Sequence, residues 1–343
     1  MIKEIGSDFW NKCPQMKNQV FLLAGRTALE FIIRDILKSH TVFSVLLPSY
    51  CCHTMIEPFV RHGIKTRFYD VFFDDSYGLT ADISELKENE IFYYMEYFGF
   101  SKISGIDIHK IQCSGNVIIE DMTHSWLYKT GQSFGDYSYV SYRKWIGFEA
   151  IATATKYKGF FSDIPKQINE KYFFLRKRAS ELKRNFIENG KGNKEEFLSL
   201  FAEAEKFLEE DYIDYLPMKE TMADFLCLDK KLLSEQRKKN ANLIIEELKK
   251  IPQVRLIFDE LQADDVPLFV PILIKEDRSG LRKFLIDNQV YCPIHWPISE
   301  YHVGISGRAK KVYQEELSLI CDQRYGLDDI RKMLELIKKF YTR

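Results

Sequence analysis

The chain has 343 residues, with 49 basic against 50 acidic side chains and a formal net charge of −1. That balance argues against nucleic acid as a partner, because polyanion binders usually gather a basic surplus on one face. A composition that is 45% hydrophobic and 29% charged, with 17 Gly and 10 Pro, excludes a disordered chain, and the length predicts two domains of ~100–200 residues each. The seven cysteines, Cys13, Cys51, Cys52, Cys113, Cys227, Cys292 and Cys321, form no C-x-x-C pair. Reduced thiols in a cytoplasm are therefore expected, rather than a disulfide framework or a zinc site. The opening MIKEIGSDFWNKC lacks a signal-peptide core, and no run approaches the ~20 apolar residues that span a bilayer. No membrane partner is expected.

Short apolar runs alternate with helical patterns over residues 20–160. In VFLLAGRTALEFIIRDILK a turn at Gly25 is followed by Ala28, Leu29, Ile32, Ile33 and Ile36 at helical spacing, which predicts a helix opening just after the glycine. SVLLP (44–48) reads as a buried strand stopped by Pro48, MIEPFVRHG (55–63) as a helix ending at Gly63, and TRFYDV (66–71) as a strand. IFYYMEYFG (91–99) and NVIIED (116–121) are further compact strands rich in aromatic and β-branched residues. This alternation predicts an α/β fold with a mostly parallel sheet flanked by helices. After residue 160 the pattern changes. KYFFLRKRASELKRNFI and EEFLSLFAEAEKFLEE read as two helices separated by the Gly-Lys-Gly-Asn stretch at 190–193, together a helical insert over 164–212. A long helix spans about 229–250. Beyond it VRLIFDE, LFVPILIK and QVYCPIHWP read as strands, with SGLRKFLID and LDDIRKMLELIKKFY as helices. The expected division is a large domain over 1–228, with an N-terminal arm and the insert, and a smaller α+β domain over 229–343.

Three clusters carry candidate chemistry. Gly25-Arg26-Thr27-Ala28 stands between a strand and a helix, where free backbone N–H groups, the partial positive charge of the helix start and the Thr27 hydroxyl suit a phosphate. An ordinary glycine turn with Thr27 as a cap fits the same residues. Glu120-Asp121-x-x-His124-Ser125 ends the strand NVII, so its acid and histidine point toward the crevice outside the carboxyl ends of the strands. An aspartate so placed can keep a heterocyclic nitrogen protonated. Equally, Asp121 can cap a helix and His124 can be a satisfied buried polar group. The third cluster is Gly135-Asp136-Tyr137-Ser138-Tyr139-Val140-Ser141-Tyr142-Arg143-Lys144-Trp145. Here Lys144 follows an alternating strand beside Arg143, a setting in which burial and the neighbouring charge would lower its pKa and free its amine for bonding a carbonyl. A solvated Lys-Arg pair at a strand end is the plainer alternative.

Phosphate-binding helix start, then acid, then lysine is the order in which fold-type I pyridoxal-phosphate (PLP) enzymes present their cofactor contacts. The chain resembles the DegT-type sugar aminotransferases of that fold. The resemblance runs through GRTAL, LLPSYCCHTMIEPFVRHGIKTRFYDV, YYMEYFGF, IIEDMTHS and SFGDYSYVSYRKW, then LLSEQRKKNANLIIEEL, the HWP at 295–297 and LSLICDQRYGLDDI. It implies that Lys144 bonds the PLP cofactor and that Asp121 pairs with the pyridinium nitrogen. His124 would lie against the ring hydroxyl or ring face, and Gly25, Arg26, Thr27 and Ser141 would hold the phosphate. The family's ring-stacking aromatic falls at Cys52, followed by His53. His295 and Arg324 fall in segments near the active-site mouth and are carried as substrate-side candidates. The lysine motif Ser141-Tyr142-Arg143-Lys144-Trp145 matches a subgroup reading Ser-Phe-Arg-Lys-Trp. The Asp-Gly-Gly turn that follows it there is replaced by Phe148-Glu149-Ala150-Ile151. Pro217-Met218-Lys219-Glu220 stands where typical members carry the Gly-Tyr-Asn-Tyr-Arg segment that reaches the partner's phosphate. The implied activity is transfer of an amino group from an amino-acid donor to a keto-sugar by a homodimer. A PLP-dependent dehydratase and a cofactor-free binding or regulatory relative are the rival readings. Tyr172, Phe173, Phe174 and Phe186 of the insert suit either a subunit interface or the chain's own core.

Overall fold

The computed structural model describes residues 18–101, 103–128 and 133–342; Cys13 and the expected N-terminal arm lie outside the described residues. Strand β1 (Gln19–Leu22) leads into helix α1 (Gly25–Ser39). Ile32, Ile33 and Ile36 line one face of α1 and are fully buried, each contributing ~1.5–3 kcal/mol by leaving water. There follow β2 (Ser44–Pro48), α2 (His53–Arg61), β3 (Lys65–Asp74), β4 (Gly78–Asp82), β5 (Ile91–Met95), α3 (Ile108–Cys113), β6 (Val117–Asp121), β7 (Tyr137–Ser141) and β8 (Ala152–Lys156).

These eight strands form one sheet in the order β1-β8-β7-β6-β5-β2-β3-β4. The run β3-β2-β5-β6-β7 is parallel, and antiparallel neighbours sit at both ends. All five residues of β5 are buried, because a central parallel strand is covered on both faces. Register decides where the strands deliver their ends. Leu22 pairs with Ala152 and Ala152 with Ser141, while Asp121 pairs with Met95 on one side and Tyr139 on the other. Strands β1, β5, β6 and β7 therefore end along the same edge, the edge beside which open α/β sheets hold their ligands.

The insert is built of β9 (Gln167–Ile168), α4 (Glu170–Asn189) and α5 (Lys194–Glu210), followed by β10 (Tyr215–Leu216) and α6 (Lys219–Leu226). The break between the helices falls at 190–193 as the composition predicts, with Gly190 in the left-handed region at φ 63°, a C-terminal conformation that glycine adopts at least cost. The four aromatics divide. Tyr172 is fully buried, Phe173 is half-buried, Phe186 packs on Phe197 of α5 at 5.6 Å, and Phe174 is 66% exposed.

Helix α7 (Lys230–Leu248) opens the C-terminal part. Strands β11 (Val254–Leu256) and β12 (Val270–Ile274), helices α8 (Arg278–Asp287) and α9 (Gly307–Glu315), strand β13 (Glu316–Leu319) and helix α10 (Leu327–Tyr341) complete it. A three-stranded antiparallel sheet, β11-β12-β13, forms its centre. The strand expected over 289–297 does not form. Pro293 and Pro297 have no N–H to give to a ladder, and Glu316–Leu319 takes the third place instead; the Pro293 carbonyl accepts one bond from Ser318 N at 3.0 Å.

The C-terminal part grips the loops at the sheet edge. The Tyr313 hydroxyl donates to Ser49 O (2.9 Å) and accepts from Cys51 N (2.9 Å). Buried Arg237 donates to the carbonyls of Pro267, Leu268 and Trp145, and Gln323 also donates to Trp145 O (2.8 Å). Among the described residues no helix is long and apolar enough to cross a membrane.

Candidate active site

The edge shared by β1, β6 and β7 assembles the three clusters, which the sequence places at 25–28, 120–125 and 135–145. Ser141 ends β7, and Lys144 stands two positions beyond Tyr142 in a single 3-10 turn. The turn is held by Trp145, whose indole N–H donates to Thr123 O (2.6 Å) and whose own N–H donates to Tyr142 O (2.9 Å). The Lys144 side chain reaches solvent, yet protein surrounds it closely enough that burial, followed by the Arg143 charge, lowers its pKa. These are the two causes expected from the sequence.

Asp121, at the end of β6, is 1% exposed. Its Oδ1 accepts from Thr123 N (2.8 Å), and its Oδ2 accepts from the hydroxyls of Tyr93 (2.9 Å) and Tyr139 (2.8 Å). Burial raises its pKa, against the opposing pull of the Thr123, Tyr139 and Tyr93 bonds. A buried carboxylate with this donor set attracts a cation, and a protonated ring nitrogen would relieve its desolvation. His124 is also buried. Its Nδ1 accepts from Phe98 N (3.1 Å), which leaves the ring proton on Nε2. Burial and the neighbouring His295 and Lys144 hold its pKa well below the ordinary histidine value, so the ring is neutral. Trp296 stacks on His124 with ring centres 5.8 Å apart and planes 24° from parallel.

At the other end of the recess, α1 starts without a side-chain cap. Gly25 lies against Ser141, where an added Cβ would meet Ser141 Cβ at 3.0 Å, so the glycine permits a close approach of helix start and strand end. Thr27 is 1% exposed, and its hydroxyl has no hydrogen-bond partner among the described residues. Nε and Nη1 of Arg26 are likewise buried without a partner, the nearest acid being Glu57 at 3.7 Å. Buried donors without acceptors cost about 1–3 kcal/mol each. A phosphate at the helix start would satisfy them, and on this observation the residues fit PLP.

The position where the resemblance places a stacking aromatic holds a cysteine. Cys52 is the residue preceding α2; its sulfur accepts from the Thr54 hydroxyl (3.3 Å) and lies 3.9 Å from His53 Nδ1. Burial opposes ionisation of the thiol, but His53, Thr54 and the Lys144 charge outweigh it and bring the pKa down to about 7. His53 is raised in return, chiefly by Cys52.

The C-terminal candidates differ from each other. His295 is brought to the recess, 6.2 Å from the His124 ring, with Nδ1 2.8 Å from Ser318 Oγ and its N–H donating to buried Glu316. The Arg324 side chain is 63% exposed, and its guanidinium donates to both carboxylate oxygens of Asp322 at 2.9 and 2.7 Å.

Several site residues escaped sequence reasoning. In the sequence Tyr93 and Tyr139 are strand aromatics, and period-two alternation turns them to the same face as Asp121. Trp296 lay inside the HWP segment. Glu205 and Arg176 of the insert carried no signal at all, yet Glu205 pairs with both guanidinium Nη atoms of Arg143 and with Arg176 at 3.2 Å.

No family model matches the sequence, and no curated protein matches it. Solved structures do. S. venezuelae DesV in complex with a ketimine intermediate is 15% identical at TM-score 0.66, covering 95% of this chain and 85% of that one. PseC of Helicobacter pylori, an aminotransferase of pseudoaminic acid biosynthesis, is 13% identical at TM-score 0.64, covering 95% and 87%. Spr1654 of Streptococcus pneumoniae, solved in a PLP and a PMP form, is 14% identical in both, with TM-scores of 0.63 and 0.62. Coverage of nearly the whole chain at this identity establishes the architecture: the chain has the type I fold of PLP-dependent transferases, as its structural neighbours among the sugar aminotransferases do.

Proposed function

We propose that this chain is a PLP-dependent aminotransferase of the DegT type that passes an amino group from an amino-acid donor to a keto-sugar linked to a nucleotide. The observation that carries this reading is one edge of one sheet presenting a lysine of lowered pKa, a buried carboxylate and a helix start with unpartnered donors. The α1 start, Arg26, Thr27 and Ser141 would hold the phosphate, and Gly25 leaves room for it. Asp121 would hold positive charge on the ring nitrogen, supported from behind by the Tyr93 and Tyr139 hydroxyls. The bound cofactor supplies an electron sink for negative charge developing on the substrate carbon. Lys144 Nζ, freed as a neutral amine, would carry the proton to and from that carbon. Neutral His124 offers Nε2–H as a donor near the ring position, and Trp296 covers its face and excludes water. Cys52 would stand beside the ring where an aromatic is usual, and His53 next to it would sustain the thiolate. His295 is the better placed substrate-side group; Arg324 would serve substrate only by leaving Asp322.

The likeness to sugar aminotransferases supports the same reading, as do the resemblances in GRTAL, IIEDMTHS and SYRKW. A homodimer, a cytoplasmic location and the division of the chain at 228/229 into a cofactor domain and a smaller lid-like domain belong to the proposal. The test is direct. Purified protein should bind PLP and turn yellow, as a lysine-bound cofactor absorbs visible light, and borohydride should fix the cofactor on Lys144, as read by peptide mass. A protein that takes up no PLP, or that is labelled on another lysine, overturns the proposal.

A further inference from the structure

The helical hairpin of α4 and α5 packs beside the start of α1. Leu23 N donates to Tyr215 O (2.9 Å) just beyond the hairpin, and Leu23, Ala24, Ala150, Tyr172, Leu208 and Tyr212 share one apolar cluster. Tyr172 is fully buried in that cluster, 0% exposed, and its hydroxyl has no hydrogen-bond partner among the described residues. The same holds for Thr27 Oγ1, Arg26 Nε and Nη1, and Arg176 Nε. Tyr172 lies within electrostatic range of Arg143, Arg176 and Arg26. Three guanidinium groups thus act on one hydroxyl, and the acids near them are Glu205, shared by Arg143 and Arg176, Glu57, 3.7 Å from Arg26, and Glu149, within electrostatic range of Arg176. Lys144 adds to the positive side when protonated. A fold does not usually bury a set of unpartnered donors beside several guanidinium groups unless an acceptor completes it.

We propose that the hairpin forms the outer wall of the phosphate cup, with the Tyr172 hydroxyl donating to a phosphate monoester seated at the start of α1, so that a single chain completes the cup. Arg143, Glu205 and Arg176 brace this wall against the Lys144 turn. The inference rests on the aminotransferase reading and adds to it the insert's role. It also gives a physical reason for the replaced segment at 217–220: the donors that a partner subunit would otherwise bring are supplied from within.

The test compares wild type, Tyr172→Phe and Thr27→Val, titrated with PLP, with pyridoxal and with inorganic phosphate. Loss of a hydrogen bond to a charged acceptor predicts about ten- to a hundredfold weaker PLP binding in Tyr172→Phe. Pyridoxal, which has no phosphate, should bind the variant as it binds wild type, and this also reports that the variant folds. Inorganic phosphate should raise the melting temperature of the cofactor-free wild type more than that of Tyr172→Phe. Equal PLP affinity in the two proteins overturns the inference and leaves the aminotransferase reading standing. Wild type that binds no PLP overturns that reading, and the phosphate shift then decides the cup alone: an equal shift in both proteins rejects it. Finally, Thr27→Val and Tyr172→Phe chains are mixed after unfolding and refolding together. A cup completed within one chain gives no tight PLP sites, whereas a tight fraction overturns the single-chain claim.

Discussion

The two sides of the recess around Lys144 use their polar groups in opposite ways. On the α1 side, Thr27, Arg26 and Tyr172 are buried with donors that no described residue accepts. On the C-terminal side, Arg324 is spent on Asp322, and His295 is fixed between Ser318 and Glu316. Buried groups left unpaired cost stability and are retained where a ligand pairs them, whereas groups paired within the chain are already explained by structure. For these residues the contrast marks the α1 side as the one where a phosphate would find unpaired donors, although Arg237 Nε and Gln323 Oε1 of the C-terminal part are also without partners among the described residues. Asp121 stands between the two cases: all its bonds come from the protein, yet burial still raises its pKa, so it has appetite for one more positive partner.

The largest effect expected from breaking this arrangement is at Lys144. Lys144→Ala should lower turnover by about 10²–10⁴-fold and abolish borohydride labelling, while PLP still co-purifies without a covalent bond because the α1 side is untouched. Retained labelling would show that the wrong lysine has been placed at the edge. Asp121→Asn comes next, with turnover lower by about ten- to a hundredfold as measured by steady-state kinetics. Its effect on stability should run the other way. The folded chain holds the Asp121 proton more tightly than the unfolded chain, so its ionisation opposes folding as pH rises from the ordinary 3.8 through the raised value. At neutral pH the cofactor-free Asp121→Asn protein should melt no lower than wild type; a lower melting temperature would mean that the carboxylate is a structural group.

Cys52 sharpens the comparison by chemistry rather than by loss. Its alkylation by iodoacetamide should rise with pH and reach half its maximal rate near pH about 7, because the thiolate is the reacting form. Bound PLP should slow the reaction; a rate indifferent to PLP would put Cys52 outside the cofactor's reach. The smallest effect is expected at Arg324. With its guanidinium satisfied by Asp322 and largely exposed, Arg324→Ala should leave PLP affinity within about twofold, the range of ordinary surface substitutions. A larger loss, measured by the same titration, would erase the distinction between the two sides.

Most of the fold was legible because its signals are local. Apolar periodicity placed α1, β2, β5 and β6, and Gly-Lys-Gly-Asn separated α4 from α5. The failure at 289–297 has an equally local cause that the apolar pattern concealed: two prolines that cannot donate to a ladder. Within the site, Lys144, Asp121 and Thr27 stood out because each follows a strand. Glu205 and Arg176 did not, because Glu205 joins Arg143 from 62 positions away and Arg176 from 29, and nothing in helical spacing links the three.

By itself the sequence determined which segments are strands and helices, and that a phosphate-suited helix start, an acid and a lysine follow in that order, since propensity, periodicity and motif order are written in neighbouring residues. Only the tertiary structure decided that these clusters share an edge, because that depends on the register linking Leu22, Ala152 and Ser141 across antiparallel β8. It alone also separated the donors left without partners from those already paired, since hydrogen bonding between residues far apart in the chain is set by packing and not by sequence distance.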